Sequence, residues 1–95
     1  MLNDLFEIIC DRKANPRPGS YTNKLLDADE DVILQKVGEE SIEVILAAKG
    51  QGKQRLVEEV SDLFYHMLVL LVRQGVSLAD IDAELRRRHV VKEAK

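Results

Sequence analysis

Apolar positions along this chain recur at the spacing of one helical face in four stretches, and no stretch alternates as a strand would. Leu2, Leu5, Phe6, Ile8 and Ile9 predict a first helix that ends before Asn15, where NPRPG supplies two prolines and a glycine and a loop follows. Val32, Ile33, Val37, Val44, Ile45 and Leu46 predict a second, from about Asp29 to Lys49, stopped by Gly50 and Gly52 in KGQGK. Gly38 inside it is unfavourable by about 1 kcal/mol against alanine. It reads either as room for close packing or ligand approach, or simply as a tolerated small residue. A third helix, from about Lys53 to Gln74, is nearly all apolar in its second half, LFYHMLVLLV, so that half has to be covered on most sides. Gly75 ends it. Ser77 then caps a fourth helix, SLADIDAELRRR, with Asp80 at its third helical position as in a capping box. The closing VVKEAK carries no partner signal and reads as a frayed tail. Tyr65 and Met67 read as core.

Length and composition bound this picture. With 95 residues, 45% apolar and 33% charged, the chain suits one small all-α domain over residues 1–95, a four-helix bundle. A domain this small buries a modest share of its surface, so completion by association is expected, at least as a homodimer through the apolar half of the third helix. The net charge of −3, with Lys and Arg scattered among the acids, offers no basic stripe for nucleic acid. The longest apolar run, Leu63 to Val72, contains His66 and is too short to span a bilayer, so no membrane partner is expected. The start MLNDLFEIICDRK lacks the basic region and cleavage site of a signal peptide. The single cysteine, Cys10, excludes an internal disulfide and fits a reducing cytoplasm; it is expected as a small buried hydrophobe on the first helix.

Charge placement changes the picture more. EESIE (39–43) and EEVSD (58–62) put like charges four apart, at Glu39 and Glu43 and at Glu58 and Asp62, each pair costing a few tenths of a kcal/mol. If the second and third helices fold back about a turn centred near Gln51, Glu40 comes level with Asp62 and Glu43 with Glu59, roughly 12–17 Å from the turn. Within each pair on one helix the side chains lie about 60° apart around the axis, so one small volume can receive all four. Such a quartet repels itself unless a cation neutralises it. An all-oxygen donor set favours Mg²⁺, with Mn²⁺ as a substitute, over Zn²⁺. Magnesium shares its shell readily with phosphate oxygens, which points to a phosphorylated small-molecule substrate and to hydrolysis of a phosphoanhydride. Glu39 is the nearest carboxylate to orient or deprotonate the attacking water.

Other readings stand beside this one. Lys36 precedes Glu40 by one turn and Arg55 precedes Glu59 by one turn, so both acids also fit solvated ion pairs. The mirrored spacing of the two clusters favours the metal site, because surface charge has no reason to respect the symmetry of a hairpin. His66, one turn after Asp62, is placed to hydrogen-bond a ligating carboxylate or to contact substrate, or is a core histidine satisfied by a neighbour. Lys36 and Arg73 are cations that can reach phosphates, or solvent-exposed charge.

The motif E-x-x-E at Glu40 and Glu43 followed by E-x-x-D at Glu59 and Asp62 resembles the metal-binding signature of the MazG-like all-α NTP pyrophosphohydrolase superfamily. The runs SYTNKLL (20–26), QKVGEE (35–40) and DLFYHMLVLL (62–71) resemble its phosphoribosyl-ATP pyrophosphohydrolase family, over nearly the whole chain. The resemblance implies cleavage of phosphoribosyl-ATP to phosphoribosyl-AMP and pyrophosphate, the second step of histidine biosynthesis, with Mg²⁺ held by Glu40, Glu43, Glu59 and Asp62. It also implies that Ser20, Thr22 and Lys24 hold phosphate or ribose oxygens. Where the family pattern places a glycine a few residues after SYTNKLL, this chain has DADED (27–31). Some relatives are fused to the cyclohydrolase of the next step, whose metal-binding cysteines are missing here, so a stand-alone protein is expected. Two rivals are a nucleoside triphosphate pyrophosphohydrolase of the same superfamily, differing only in the substrate loop, and a non-enzymatic helical oligomerisation module.

Overall fold

Five helices make up the computed structural model, which describes the backbone of residues 1–93. They are α1 (Leu2–Ala14), α2 (Tyr21–Asp27), α3 (Glu30–Gly50), α4 (Lys53–Gln74) and α5 (Leu78–Glu93), and no strand occurs among the described residues. The all-α expectation holds, with one helix more than the apolar periodicity predicted. The addition is α2, seven residues of SYTNKLLD too short for a periodic pattern to register. Its existence depends on local bonds: the Ser20 hydroxyl accepts the Asn23 N–H at 3.2 Å and so caps the first turn. The end of the chain also differs from expectation. Helix α5 continues through VVKE to Glu93, so most of the segment read as a frayed tail is helical; Ala94 and Lys95 lie outside the described residues.

Turn chemistry fixes where the long helices stop. Gly52 adopts φ +89°, a left-handed conformation that side chains resist, and this lets α4 begin with only two residues between it and the end of α3. Gly75 sits at φ +72° with its N–H on the Val72 carbonyl at 3.2 Å, while the Val76 N–H reaches the Leu71 carbonyl at 2.9 Å, a Schellman ending. Beyond it the predicted capping box is present. Asp80 N–H donates to Ser77 Oγ at 3.1 Å, and Ser77 N–H donates to Asp80 Oδ2 at 2.8 Å.

The α3–α4 hairpin is the frame, and α1 and α2 pack on it. Ile9 of α1, Leu25 of α2, Ile33 of α3 and Leu68, Val69 and Val72 of α4 form the buried core, with Leu5, Phe6, Tyr65 and Leu71 packed around it. That core is small. Among the described residues fourteen large hydrophobics remain exposed, including Val32, Ile45 and Leu46 of α3 and Phe64 and Met67 of α4, an apolar surface that these residues do not cover themselves. Met67, expected in the core, is 42% exposed, and Tyr65 is only half-buried at the core's edge. Cys10 is exposed as well, contrary to expectation, because its neighbour Ile9 takes the inward position one step around the helix. Apart from its own helical backbone, no atom of the described residues lies within 4 Å of the Cβ position of Gly38, so no other element packs closely there. No single helix among the described residues is long and apolar enough to cross a membrane.

Candidate active site: three carboxylates across the α3–α4 hairpin

Glu40 on α3 and Glu59 and Asp62 on α4 each present a carboxylate oxygen to a common volume, with these atoms all within 4.8 Å of one another. The antiparallel hairpin does this: residues equidistant from Gln51 come level, as the spacing predicted. Burial grades across the trio. Glu59 is buried, Glu40 half-buried and Asp62 exposed, so the cluster has a closed floor and an open mouth. Burial pushes the Glu40 carboxyl above its ordinary value, and the charges of Asp62 and Glu59 add to the rise, while His66 and Lys36 pull it down. A divalent cation relieves this kind of crowding. The donor set is hard oxygen throughout and open on one side, which suits magnesium, an ion that keeps several waters and shares its shell with phosphate. Glu40, Glu59 and Asp62 therefore fit the group expected from the sequence.

The other acids stand differently. Glu43 is half-buried one turn further along α3, outside the converging trio, and its charge is felt at Arg55. Glu39 is exposed and accepts Gln35 Nε2 at 3.2 Å, with Lys36 Nζ 4.0 Å away. Arg55 spans two acids on its own helix, donating Nη1 to Glu58 at 2.8 Å and Nη2 to Glu59. The ion pair between Arg55 and Glu59 thus forms as the surface reading expected, yet Glu59 is at the same time a member of the trio. Lys36 pairs with Glu39 and not with Glu40.

His66 is buried at 7% exposure and bonded on both sides of its ring. Nδ1 lies 2.8 Å from the Asp62 carbonyl, an acceptor that calls for a hydrogen on Nδ1, and Nε2 meets the Tyr21 hydroxyl at 3.1 Å. The same Nδ1 is 3.9 Å from Glu40 Oε1. One histidine therefore touches α2, the backbone of one cluster residue and the neighbourhood of another.

Over residues 2–89 the sequence matches the family model described as phosphoribosyl-ATP pyrophosphohydrolase. The chain belongs to that family. It is 58% identical over 88 residues to a phosphoribosyl-ATP pyrophosphatase of Listeria monocytogenes serotype 4b, covering 93% of this chain and 84% of the relative. A phosphoribosyl-ATP pyrophosphatase of Limosilactobacillus fermentum is 51% identical over 87 residues, covering 92% of this chain and 82% of the relative. The histidine biosynthesis bifunctional protein HisIE of Caldanaerobacter subterraneus subsp. tengcongensis is 53% identical over 89 residues, which are 94% of this chain and 43% of that longer protein. The resemblance read from EESIE, EEVSD and SYTNKLL is borne out at the level of the family.

Within this phosphoribosyl-ATP pyrophosphohydrolase fold, SYTNKLL is mostly helix α2, docked beside the carboxylates by its aromatic and hydroxyl groups. Thr22 Oγ1 bonds the Tyr65 hydroxyl at 2.5 Å, and the Tyr21 ring stacks on Tyr65 with centroids 6.2 Å apart. Burial raises the Tyr65 phenol above its ordinary value, the neighbouring Tyr21 adds to the rise, and the Thr22 bond opposes it. Ser20 is engaged as the cap of α2, whereas Lys24 is exposed on a groove with Arg17, Gly19 and Asp27. Asn23, buried at 7%, staples the preceding loop by accepting the Arg17 N–H and donating to the Arg12 carbonyl, both at 2.9 Å. Arg73 lies at the opposite end of α2, where Nη1 donates to the carbonyls of Leu25, Leu26 and Ala28 at 2.7, 3.1 and 2.6 Å. That is a helix-end clamp.

Sequence reasoning missed Tyr21, Asn23 and the clamp by Arg73. Each joins residues more than five positions apart, and two of them act only through α2, which has no periodic signature of its own. The one available signal was that an asparagine and two tyrosines fall beside hydroxyl and basic residues in SYTNKLL and DLFYH.

Proposed function

We propose that this protein hydrolyses phosphoribosyl-ATP to phosphoribosyl-AMP and pyrophosphate, the second step of histidine biosynthesis, at the site formed by Glu40, Glu59 and Asp62. The observation that carries the proposal is the convergence of those three carboxylates from two helices in a chain of this family. The names of its relatives, a phosphoribosyl-ATP pyrophosphatase and a histidine biosynthesis bifunctional protein, support the substrate and the pathway. Residues 1–95 are read as one catalytic unit, cytoplasmic like the biosynthesis it serves.

Glu40, Glu59 and Asp62 would hold Mg²⁺, with Mn²⁺ as a substitute, and Glu43 is the fourth ligand implied by the family signature. When bound, the ion screens the phosphate charge and lowers the pKa of water beside it. The buried end of the cluster keeps Glu59 fixed while the exposed Asp62 leaves one side for phosphate oxygens. Glu39, paired only with the neutral Gln35 and more distantly with Lys36, keeps a carboxylate free to take a proton from the attacking water. Lys36 sits one turn from Glu40 and Lys24 on the exposed face of α2, both able to meet phosphate charge; Ser20 and Thr22 hold α2 in place while lying on the same segment. For His66 the proposed contact is through Nδ1–H toward Glu40. Arg73 keeps α2 seated, a substrate role exercised through position.

A second copy of the chain is the proposed cover for the exposed apolar surface. Leu2, Phe64, Met67, Leu71, Leu78 and Ile81 line a groove between α1, α4 and α5 with almost no polar lining. Met67→Glu should turn a dimer into a monomer in light scattering at unchanged concentration.

The experiment for the reaction is pyrophosphate release from phosphoribosyl-ATP in the presence of Mg²⁺. Glu40→Gln and Asp62→Asn should lower turnover by more than about 100-fold with helical circular dichroism intact. Full activity in both variants would remove the site, and turnover of simple nucleoside triphosphates with none of phosphoribosyl-ATP would move the substrate to another member of the superfamily.

A further inference from the structure

Tyr21 stands outside the carboxylate trio and outside the hydroxyl and ammonium groups of its own segment that suit phosphate, yet its phenol ends on the one histidine that borders the site. The ring of His66 is 7% exposed, so neither of its nitrogens has ready access to water. Its Nδ1–H points to the Asp62 carbonyl at 2.8 Å and passes 3.9 Å from Glu40 Oε1. Nε2 lies on the far side, where it meets the Tyr21 hydroxyl, able to donate or accept, at 3.1 Å. Tyr65 packs against the ring edge-on at 5.1 Å and, through its own hydroxyl, holds Thr22, so the tyrosine on α2 and the histidine on α4 keep a fixed distance. A ring in the opposite tautomer would set a lone pair against both the Asp62 carbonyl and the Glu40 carboxylate, an arrangement that repels.

We propose that Tyr21 is a positioning residue for the metal site: by bonding Nε2 it holds the His66 ring with Nδ1 on the Asp62 main-chain carbonyl and 3.9 Å from Glu40 Oε1, so that the ring bounds the place the Glu40 carboxylate takes beside the cation. The inference rests on the metal site proposed above. Groups that orient a ligating residue from behind typically change metal affinity by about 10- to 100-fold when removed, and a single phenol acting through a histidine belongs at the lower end.

The test is Mn²⁺ binding by calorimetry to the full chain, with Tyr21→Phe and Glu40→Gln measured beside the unaltered protein. Tyr21→Phe keeps the stacked ring and loses only the hydroxyl. It should weaken Mn²⁺ binding about tenfold with thermal unfolding of the ion-free protein nearly unchanged, and the ¹⁵N resonances of the His66 ring should depart from the Nδ1–H pattern. Unaltered Mn²⁺ affinity or an unaltered Nδ1–H pattern in Tyr21→Phe, with binding lost in Glu40→Gln, would overturn the role of Tyr21 and leave the site standing. Equal Mn²⁺ binding by Glu40→Gln and the unaltered protein would instead remove the site, and the inference with it.

Discussion

Arg73 offers the sharpest separation of two roles, a phosphate ligand or a clamp on α2. Its Nη1 donates to three carbonyls at the C-terminal end of α2, two of them at 2.7 Å or closer. An Nη1 group has two hydrogens, so about two good bonds form at once. A hydrogen bond from a charged donor contributes about 1.5–3 kcal/mol, and the half-buried position lets water recover part of that after removal. The attraction between a cation and a helix C-terminus, about 0.3–1 kcal/mol, is lost as well. Replacement by methionine, which keeps the apolar stem, should therefore destabilise the chain by about 2 kcal/mol. For a domain of this size that is a fall in Tm of roughly 8–16 °C. Urea unfolding at fixed protein concentration and fixed Mg²⁺ reads the loss directly. Arg73→Lys should recover less than half, since a single ammonium cannot reproduce the planar fork. Arg73 also stands roughly 16 Å along α4 from Asp62, by helical rise, which sets it apart from phosphates held at the trio. A loss of less than about 0.5 kcal/mol in Arg73→Met, together with a fall in nucleotide affinity, would refute the clamp and restore the phosphate role.

Asn23→Ala removes a donor and an acceptor from a buried staple and should cost about 1–3 kcal/mol in the same unfolding assay; a neutral result would mean that the loop before α2 holds itself. Gly38→Ala should raise stability by up to about 1 kcal/mol, because no other element of the described residues lies within 4 Å of the new methyl group and alanine is the better helix former; destabilisation would place a second copy of the chain against that spot. The Ser77 N–H and hydroxyl hold the Asp80 carboxyl below its ordinary 3.8, so its contribution is complete above 3.8 and fades as pH falls through the lower folded value. Comparison of acid unfolding of Asp80→Ala with the unaltered chain should give a stability gap that is constant above pH 3.8 and closes below it; a gap that widens in acid contradicts the capping box.

Local chemistry written in the sequence governed much of the outcome. Gly52 and Gly75 end or begin helices where they do because only glycine takes a left-handed backbone without cost, and Ser77 with Asp80 starts α5 through bonds between near neighbours. The carboxylate trio was legible for a related reason. Once a hairpin turns at Gln51, the helical rise dictates which residues come level, and Glu40, Glu59 and Asp62 follow from counting.

What counting could not reach was rotation about each axis and contact between elements distant along the chain. Glu43 obeys the same spacing and still falls outside the trio, while Glu59 both joins it and pairs with Arg55. Cys10 turned outward because Ile9 turned in, a choice made by the partner helix and not by residue type. Helix α2 carries too few residues for its own pattern to show. Its place is decided by Asn23, Tyr21, Thr22 and Arg73 bonding to groups up to 48 positions away. Periodicity records which face of a helix is apolar, so the sequence determined the helices, their ends and the level of the acids. The direction a side chain takes is set by what packs against it, so only the tertiary structure decided that His66 would lie between Tyr21 and Glu40.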